Sequence, residues 1–303
     1  MTAVVGLLAF GGGVWLLVES VEGLVKTVRG WAAAAGLSGM VLSALLLGFD
    51  VESTAAGVAA TLGDLPGTAL GTSFGAAIFL LTAGLGIAAL VAPFEVHTPV
   101  PLLISAAAAT ALSIALSIDG VLSRLDGGVL LLSFVPLFAL LLRMRRGASI
   151  ASTGERPSRL PVRLGAAVVG LLVGAELLVF GTERVVAELG LSETVFGLIV
   201  VAAAVSFEEV VLEALPAFRG FPELSVGNAL GTLIFLLTAS LGVIVLVRPL
   251  TVPPGVGAYH LPTLAMSTLL AGALLVRGRL GRAEGAFLVS AYVAYVAGAV
   301  AVG

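Results

Sequence analysis

The chain has 303 residues, of which 59% are hydrophobic and only 11% are charged, and its net charge is −3. Soluble domains carry about 25% charged residues, so this composition excludes an ordinary soluble enzyme or binding domain. The absence of cysteine excludes disulfides, thiolate metal sites and cysteine nucleophiles, and the small net charge indicates no nucleic-acid partner.

Long apolar segments dominate the chain from end to end. A helix needs about 20 apolar residues to cross a bilayer, and runs of this length favour a helical bundle over a barrel. The sequence therefore predicts an all-α polytopic membrane protein with ten transmembrane helices in the lipid bilayer. The predicted spans are 3–24, 36–60, 68–92, 99–118, 126–143, 163–185, 191–215, 223–247, 259–276 and 284–302.

The largest polar stretch, Arg143–Arg163, divides these spans into two sets of five. We expect a first repeat at 1–145, a linker at 146–162 and a second repeat at 163–303. The loops after odd-numbered spans hold 12 of the 15 basic residues, and the positive-inside rule then places this linker in the cytoplasm and both termini outside the cell membrane. Five spans per half predict two inverted repeats, as in many secondary transporters.

One segment of the chain occurs twice. Ile78–Gly86 reads IFLLTAGLG and Ile234–Gly242 reads IFLLTASLG, an offset of 156 residues with one difference in nine positions. We expect these blocks to form a packed scaffold in spans 3 and 8. The same offset places Glu52 on Glu208, so each half carries a matched acid in the middle of an apolar span.

Five carboxyl groups lie near the middle of spans 2 and 7. A charged side chain at mid-bilayer costs about 3 kcal/mol on insertion scales, and few basic residues are near in sequence, so a bound cation or a proton is the expected neutraliser. Ca2+ takes six to eight oxygen ligands, which side chains and freed carbonyls can supply together. Gly48 is a place to interrupt span 2 and expose such carbonyls. The five acids are Asp50, Glu52, Glu208, Glu209 and Glu213.

The two histidines, His97 and His260, lie in a loop and at a span end. Neither has metal-ligand spacing with another histidine or acid, so no function is predicted for them.

Motifs in spans 2, 3, 7 and 8 resemble those of the calcium/cation antiporter superfamily, which includes sodium/calcium exchangers and cation/proton exchangers. The first family motif, G-T-S-x-P-E or G-N-x-x-E, is represented by Gly48–Glu52 and Ala204–Glu209. The second, of G-N-x-x-G-S-N type, is represented by Gly71–Ala77 and Gly227–Leu233. The resemblance implies ten core helices in two inverted repeats, with a central ion site.

The resemblance implies that oxygen atoms from these motifs hold the transported cation. The spacing of Glu52 and Glu208 resembles that of proton-coupled exchangers, whereas a different count places Glu209 and Ser53 at the sodium/calcium exchanger position. We favour Glu52 and Glu208 as the symmetric pair, with Glu209 as the rival of Glu208. Ala77 and Leu233 stand where sodium exchangers place an amide or an acid for their ion sites. The candidate ligands are Glu52, Glu208, Glu209, Asp50, Ser206, Ser53, Thr72, Ser73, Asn228, Thr232 and Glu213.

The leading hypothesis is an antiporter, not an enzyme, that needs no cofactor and exchanges a divalent cation, Ca2+ foremost, for H+ or Na+. Binding of either ion set would neutralise the acids and let spans 1 and 6 slide past the other spans. A cation channel is an alternative. An intramembrane aspartyl protease is another, but it needs two catalytic aspartates at mid-membrane, and the chain offers only Asp50 there.

Overall fold

The computed structural model describes residues 2–35, 38–142, 160–188 and 202–302. In this part of the chain the protein is an all-α polytopic membrane protein with long apolar helices and four two-residue strands. Nine of the described segments are long and apolar enough to cross a membrane.

The elements follow one another in the same order in the two halves. The first half contains α1 (Thr2–Ala35), α2 (Gly39–Leu46), α3 (Val51–Leu62), α4 (Pro66–Val91), β1 (Phe94–Glu95), α5 (Val100–Ser117), β2 (Val121–Leu122) and α6 (Arg124–Leu142). The second half contains α7 (Leu160–Glu188), α8 (Ala202–Phe218), α9 (Pro222–Val247), β3 (Leu250–Thr251), α10 (Val256–Val276), β4 (Arg279–Leu280) and α11 (Arg282–Val302).

The first helix extends well beyond the predicted first span, which matches the apolar segment Val4–Val28 to within a few residues. A loop was expected after residue 24, but α1 continues to Ala35 as one helix. No proline interrupts Val25–Ala35 and four alanines, strong helix formers, complete it. Part of the predicted seventh span, 191–215, lies outside the described residues, which resume at α8.

The predicted interruption of span 2 at Gly48 is confirmed. Helix α2 ends at Leu46, and α3 begins only at Val51. Gly48 is needed there because a Cβ atom at this position would lie 2.7 Å from the carbonyl carbon of Gly231 and 2.9 Å from the amide nitrogen of Thr232. The interrupted segment therefore passes directly against the backbone of α9.

Two small antiparallel sheets connect the halves. Strand β1 pairs with β4, and β2 pairs with β3. Strand β1 follows α4 as β3 follows α9, and β2 precedes α6 as β4 precedes α11. Exchanging the two halves therefore puts β1 in the place of β3 and β4 in the place of β2, and it converts one strand pair into the other. The pairs lie beyond opposite ends of α5, so the exchange also reverses the two membrane faces. This is the geometry of an inverted repeat.

The buried residues form two separate hydrophobic cores. The larger one is formed mainly by α4–α6 and α9–α11, with most of the buried residues of α2. The smaller one joins α1 to α7 with single residues of α2, α8 and α9. Glycines bring α1 and α7 together: a Cβ atom at Gly13 would lie 2.7 Å from the carbonyl oxygen of Gly174, and one at Gly174 would lie 2.9 Å from Leu17 Cγ. The α1–α7 pair is thus a tightly packed unit beside the larger core.

The duplicated nine-residue blocks form the same local structure twice. Each contains a π-helical turn, Leu80–Gly84 in α4 and Leu236–Ser240 in α9. In each, a threonine hydroxyl, Thr82 or Thr238, donates to the carbonyl four residues earlier, an interaction that perturbs the helical hydrogen-bond ladder. Both turns are buried, which confirms the prediction of a packed scaffold.

Candidate functional site

The interruption between α2 and α3 positions Asp50 as the cap of a helix in mid-membrane. Its Oδ1 accepts a hydrogen bond from the amide of Ser53 at 2.8 Å, and its carbonyl accepts one from Thr54 Oγ1 at 2.9 Å. Asp50 Oδ2 is buried without a hydrogen-bond donor among the described residues. One oxygen of this carboxyl group is therefore structural, and the other remains available to an ion or a proton.

Phe49 holds the interrupted segment from its other side. Its ring packs on Phe134 and Phe138 of α6 and on Phe235 of α9, with centroid separations of 5.8, 5.6 and 5.1 Å. Since Gly48 contacts the backbone of α9, the non-helical segment is fixed on both sides. The orientation of Asp50 is consequently determined by packing, not by the flexibility of a loop.

Acids of α3 and α8 gather around Asp50. Glu208 interacts electrostatically with Glu52 and Asp50, and Glu209 interacts with all three. Glu52 is exposed, and Glu208 and Glu209 are half-buried. The structure thus brings together four of the five predicted acids from both halves. No group of three or more His, Asp or Glu side chains in the described ranges already has the geometry to hold a metal ion.

Asp50 and Glu209 form one carboxyl pair within this group of acids. Their side chains lie within hydrogen-bonding reach of each other. Two ionised carboxylates are both acceptors, so this contact is a hydrogen bond only when one group carries a proton. Sequence spacing left Glu208 and Glu209 as rivals; in the structure Glu209 makes the direct contact with the capping aspartate.

Glu213, the fifth acid, lies one turn beyond Glu209 and is fully buried. Neither of its carboxyl oxygens has a hydrogen-bond partner within the described part of the chain. The carboxyl group occupies the space beside Gly84 of α4, where any side chain would collide with it. At the 156-residue offset Gly84 corresponds to Ser240, the single difference between the two IFLLTA blocks, and Glu213 corresponds to Gly57.

The equivalent contact in the other half is chemically different. There Ser240 Oγ lies 2.8 Å from Thr54 Oγ1, and Gly57 contacts Ile244 and Thr72. In one half a glycine accommodates a buried acid, and in the other half the equivalent serine is hydrogen-bonded to a threonine. The buried acid is therefore present on one side only of a pseudo-symmetric molecule.

The polar candidates of α4 and α9 occupy three kinds of position. Thr72 faces α3 at Gly57, and its hydroxyl donates to the carbonyl of Ala69. Thr232 lies beside Gly48 at the interruption of span 2. Ser73 Oγ and Asn228 Oδ1 are buried and have no hydrogen-bond partner in the described ranges. The side chain of Ser206 lies outside the described residues.

Sequence reasoning missed one acid, Glu176 of α7, which interacts electrostatically with Glu52. It lies in the middle of an apolar span, Leu164–Gly181, so the signal that identified the other acids was present. No acid stands at the equivalent position of the first half, so the internal repeat does not point to Glu176. Glu176 connects the α1–α7 pair electrostatically to the central acids.

Basic side chains contribute no ion pair to this site in the part of the chain that the structure describes. The ion pairs there join Glu22 to Lys26 and Arg219, and Asp64 to Arg248. None of these pairs includes one of the central acids. Among the described residues, therefore, no basic side chain is paired with the central acids.

Comparison with known proteins points to one family. A model of the sodium/calcium exchanger protein family matches residues 5–143 and 160–301. Inner membrane protein YrbG of Escherichia coli (strain K12) is 26% identical over 309 residues, covering 94% of each chain. CaxA of Alkalimonas amylolytica, a protein named as an antiporter, is 31% identical over 129 residues, which cover 43% of this chain and 40% of CaxA.

Solved structures show the same fold. A structure of the sodium-calcium exchanger NCX_Mj soaked with 10 mM Na+ and 10 mM Sr2+ superposes with a TM-score of 0.85 at 24% identity, covering 97% of this chain and 98% of that one. Another structure of the same exchanger, soaked without Na+ and Ca2+, gives a TM-score of 0.85 at 23% identity, covering 98% and 99%.

Proposed function

Because the chain belongs to the sodium/calcium exchanger protein family, we propose that it exchanges a divalent cation, Ca2+ foremost, for protons at the acid cluster of α3 and α8. That it is a membrane transporter and not an enzyme follows from the family itself. The proposal concerns the site, the transported ion and the counter-ion. The observation that carries it is the meeting of Asp50, Glu52, Glu208 and Glu209 without a basic partner in the described residues.

Oxygen atoms available at the site suit a hard cation. Asp50 offers its uncommitted Oδ2, Glu209 of α8 lies within hydrogen-bonding reach of Asp50, and we propose that Glu52 and Glu208 move in to complete the shell when the cation binds. Thr232 and the interrupted backbone at Gly48 add neutral oxygens nearby. Ser53, Ser206, Thr72, Ser73 and Asn228 remain proposed ligands on the strength of the family resemblance, and Glu213 is proposed to carry a proton.

Protons are favoured over Na+ as the counter-ion by two features. The contact between the Asp50 and Glu209 carboxyl groups is favourable when a proton is shared and repulsive when both are ionised. Moreover, Ala77 and Leu233 are fully buried apolar residues at positions where sodium exchangers place ligating side chains. Protonation therefore offers the simpler way to neutralise the empty site.

Movement of the α1–α7 pair completes the proposed cycle. Without a cation or a proton, Glu52 and Glu176 repel each other across the boundary between this pair and the site. Binding removes that repulsion and allows the pair to slide, which exposes the site to the other face. With 12 of 15 basic residues on one side, we propose a cytoplasmic central linker and both termini outside.

The test is uptake of Ca2+ into proteoliposomes, driven separately by a pH gradient and by a Na+ gradient. We expect the pH gradient to drive uptake, and Glu209→Gln, Glu208→Gln and Glu52→Gln to reduce it to background. Glu95→Gln removes a carboxylate from exposed strand β1. It is the matched control and should transport normally.

Uptake driven by Na+ alone would exclude protons as the counter-ion, and normal exchange in all three site variants would refute the proposed site. Current without a counter-ion would indicate a channel.

A further inference from the structure

Two arginines flank a tight turn at the junction between α10 and α11. Arg277 precedes Gly278, which has a φ of +77°, and Arg279 follows it as the first residue of β4. Strand β4 pairs with β1, and residues of this junction line a surface cavity of about 310 Å³. Neither the sequence nor the proposed ion site gives this cavity a role. Its lining residues are Glu95, Val96, His97, Arg277, Gly278 and Arg279.

Neither guanidinium group of the cavity is committed to a partner among the described residues. Both arginine side chains are exposed, and the ion pairs in that part of the chain involve other basic residues. Glu284 interacts electrostatically with both arginines, but its Oε2 accepts a hydrogen bond from the Gly281 amide at 3.0 Å. Glu95 lies opposite Arg279 in the strand pair without forming an ion pair with it. The N–H donors of both guanidinium groups therefore remain available to a ligand.

The equivalent turn of the first half has the same backbone. Gly120, between α5 and β2, has a φ of +84°. Its carbonyl accepts a hydrogen bond from the Val252 amide at 2.8 Å, just as the Gly278 carbonyl accepts one from the Val96 amide at 2.8 Å. The two turns are thus built by the same contacts, and their side chains can be compared position by position.

The side chains of the two turns differ in charge. Arg279 lies opposite Glu95 in one strand pair, and Val121 lies opposite Thr251 at the same point of the other. This shared register fixes the equivalent positions: Arg277, Arg279 and His97 correspond to Asp119, Val121 and Pro253. The fold forms this turn without basic side chains, so packing does not account for them. Membrane orientation and the binding of an anion are the purposes that remain.

The cavity lies at the depth where two spans end. The apolar segments Pro66–Val91 and Val256–Val276 stop just before the residues that line it. Val91 and Val276 are 50% and 72% exposed, so they lie against acyl chains when the protein is in a bilayer. The arginines follow directly and are therefore level with the lipid headgroups. An anionic lipid can fill the cavity with its phosphate while its chains cover the apolar side chains, which a soluble phosphate cannot do.

We propose that this cavity binds the phosphate group of an anionic membrane lipid. Arg277 and Arg279 donate hydrogen bonds from planar guanidinium groups, whose forked geometry suits phosphate oxygens. His97 adds an N–H donor, which an imidazole ring has in either protonation state. Glu95 repels a phosphate and is not one of the ligands. Because β1 and β4 come from different halves of the chain, the bound lipid joins the two halves at this membrane face.

The experiment measures lipid binding by the purified, delipidated protein in a non-ionic detergent. Phosphatidylglycerol is titrated, and the bound lipid is counted by native mass spectrometry. Phosphatidylcholine with the same acyl chains is the comparison lipid without net charge, and it should bind more weakly. We expect Arg277→Gln and Arg279→Val each to weaken phosphatidylglycerol binding about tenfold, the usual effect of losing a charge-assisted hydrogen bond. Arg279→Val copies Val121 of the equivalent turn, so this variant keeps a side chain that the turn tolerates.

Arg282→Gln is the matched control, because Arg282 is an exposed arginine next to the turn that does not line the cavity. It removes the same charge and should leave phosphatidylglycerol binding unchanged. Equal weakening by all three variants would show a general surface attraction and overturn the site. Equal binding of the two lipids would also overturn it.

Inorganic phosphate, titrated in the same way, distinguishes a lipid from a soluble ligand. We expect it not to bind measurably, and its binding in the absence of phosphatidylglycerol binding would refute the lipid site. Because both cavity arginines are exposed, all variants should unfold at the same temperature in lipid-free detergent. The site is independent of the proposed ion exchange, so its failure would leave that function standing.

Discussion

At the scale of single residues, the site is asymmetric where the fold is symmetric. Gly84 leaves space for the buried carboxyl group of Glu213, whereas the equivalent Ser240 bonds to Thr54 beside Gly57. An acid with no hydrogen-bond partner in the described residues is costly to bury, and such groups are retained mainly at functional positions. The contact between Gly84 and Glu213 indicates that these two positions are constrained by the space that they share.

This constraint can be tested by exchanging the pairs. We expect Gly84→Ser to destabilise the protein by about 1–3 kcal/mol, the usual cost of overpacking, because the new side chain collides with Glu213. Adding Glu213→Gly should restore part of the stability, because it removes the side chain with which the new serine collides. Thermal unfolding in detergent measures both effects. An additive loss in the double variant would show that the two positions do not share a packing site.

At the scale of elements, the central feature is the close approach of α2 and α9. A Cβ atom at Gly231 would lie 2.5 Å from Ala44 Cα, so the two helices meet backbone to backbone. Small residues permit such contact between membrane helices, where there is little hydrophobic driving force for association. The contact holds the interrupted segment, and therefore Asp50, at a fixed depth in the bundle.

Gly231→Ala should separate α2 from α9, because the collision is with backbone atoms that have no rotamer to change. We expect a lower melting temperature and weaker Ca2+ transport. Gly71→Ala, in a helical turn of α4 where nothing lies within 4 Å of an added Cβ, should change neither. Equal behaviour of the two variants in both assays would mean that the close approach does not position the site.

At the scale of the whole molecule, the division into two cores suggests the moving parts. The α1–α7 pair has its own buried cluster and joins the larger core through few residues. The Glu22–Arg219 ion pair links α1 to the end of α8 at the surface, and the Glu52–Glu176 interaction links α7 to the site. Sliding of a rigid unit past a scaffold needs a small, weakly bonded boundary of this kind.

Cross-linking between introduced cysteines tests this division. The chain has no cysteine of its own that could react with the reagent. A bifunctional thiol reagent joining Glu22→Cys to Arg219→Cys should stop exchange, because it ties α1 to α8. A disulfide between Ser20→Cys and Gly170→Cys should leave exchange intact, because both positions belong to the α1–α7 pair. An added Cβ at Gly170 lies 3.3 Å from Ser20 Cβ, near the separation of about 3.8 Å in disulfides. Full activity of the first cross-linked protein would exclude sliding of the pair.

The sequence by itself determined the membrane class, nearly all the spans, the two halves and the acids. These follow from local properties: length of apolar runs, the cost of charge in lipid, and a duplicated segment. The interruption at Gly48 was also predictable from the sequence, because glycine weakens a helix wherever it stands. The end of α1 was misjudged because basic residues mark a membrane boundary but do not end a helix.

Only the tertiary structure decided which atoms meet. Spacing along α8 could not choose between Glu208 and Glu209, because adjacent residues differ by about 100° around a helix and a neighbour is needed to define the inward face. Glu176 lies on a helix far apart in sequence from Glu52, the acid with which it interacts. The chain thus encodes its apolar spans locally, whereas the polar interactions among α3, α7 and α8 are decided by packing, because each requires two helices to meet at a particular depth.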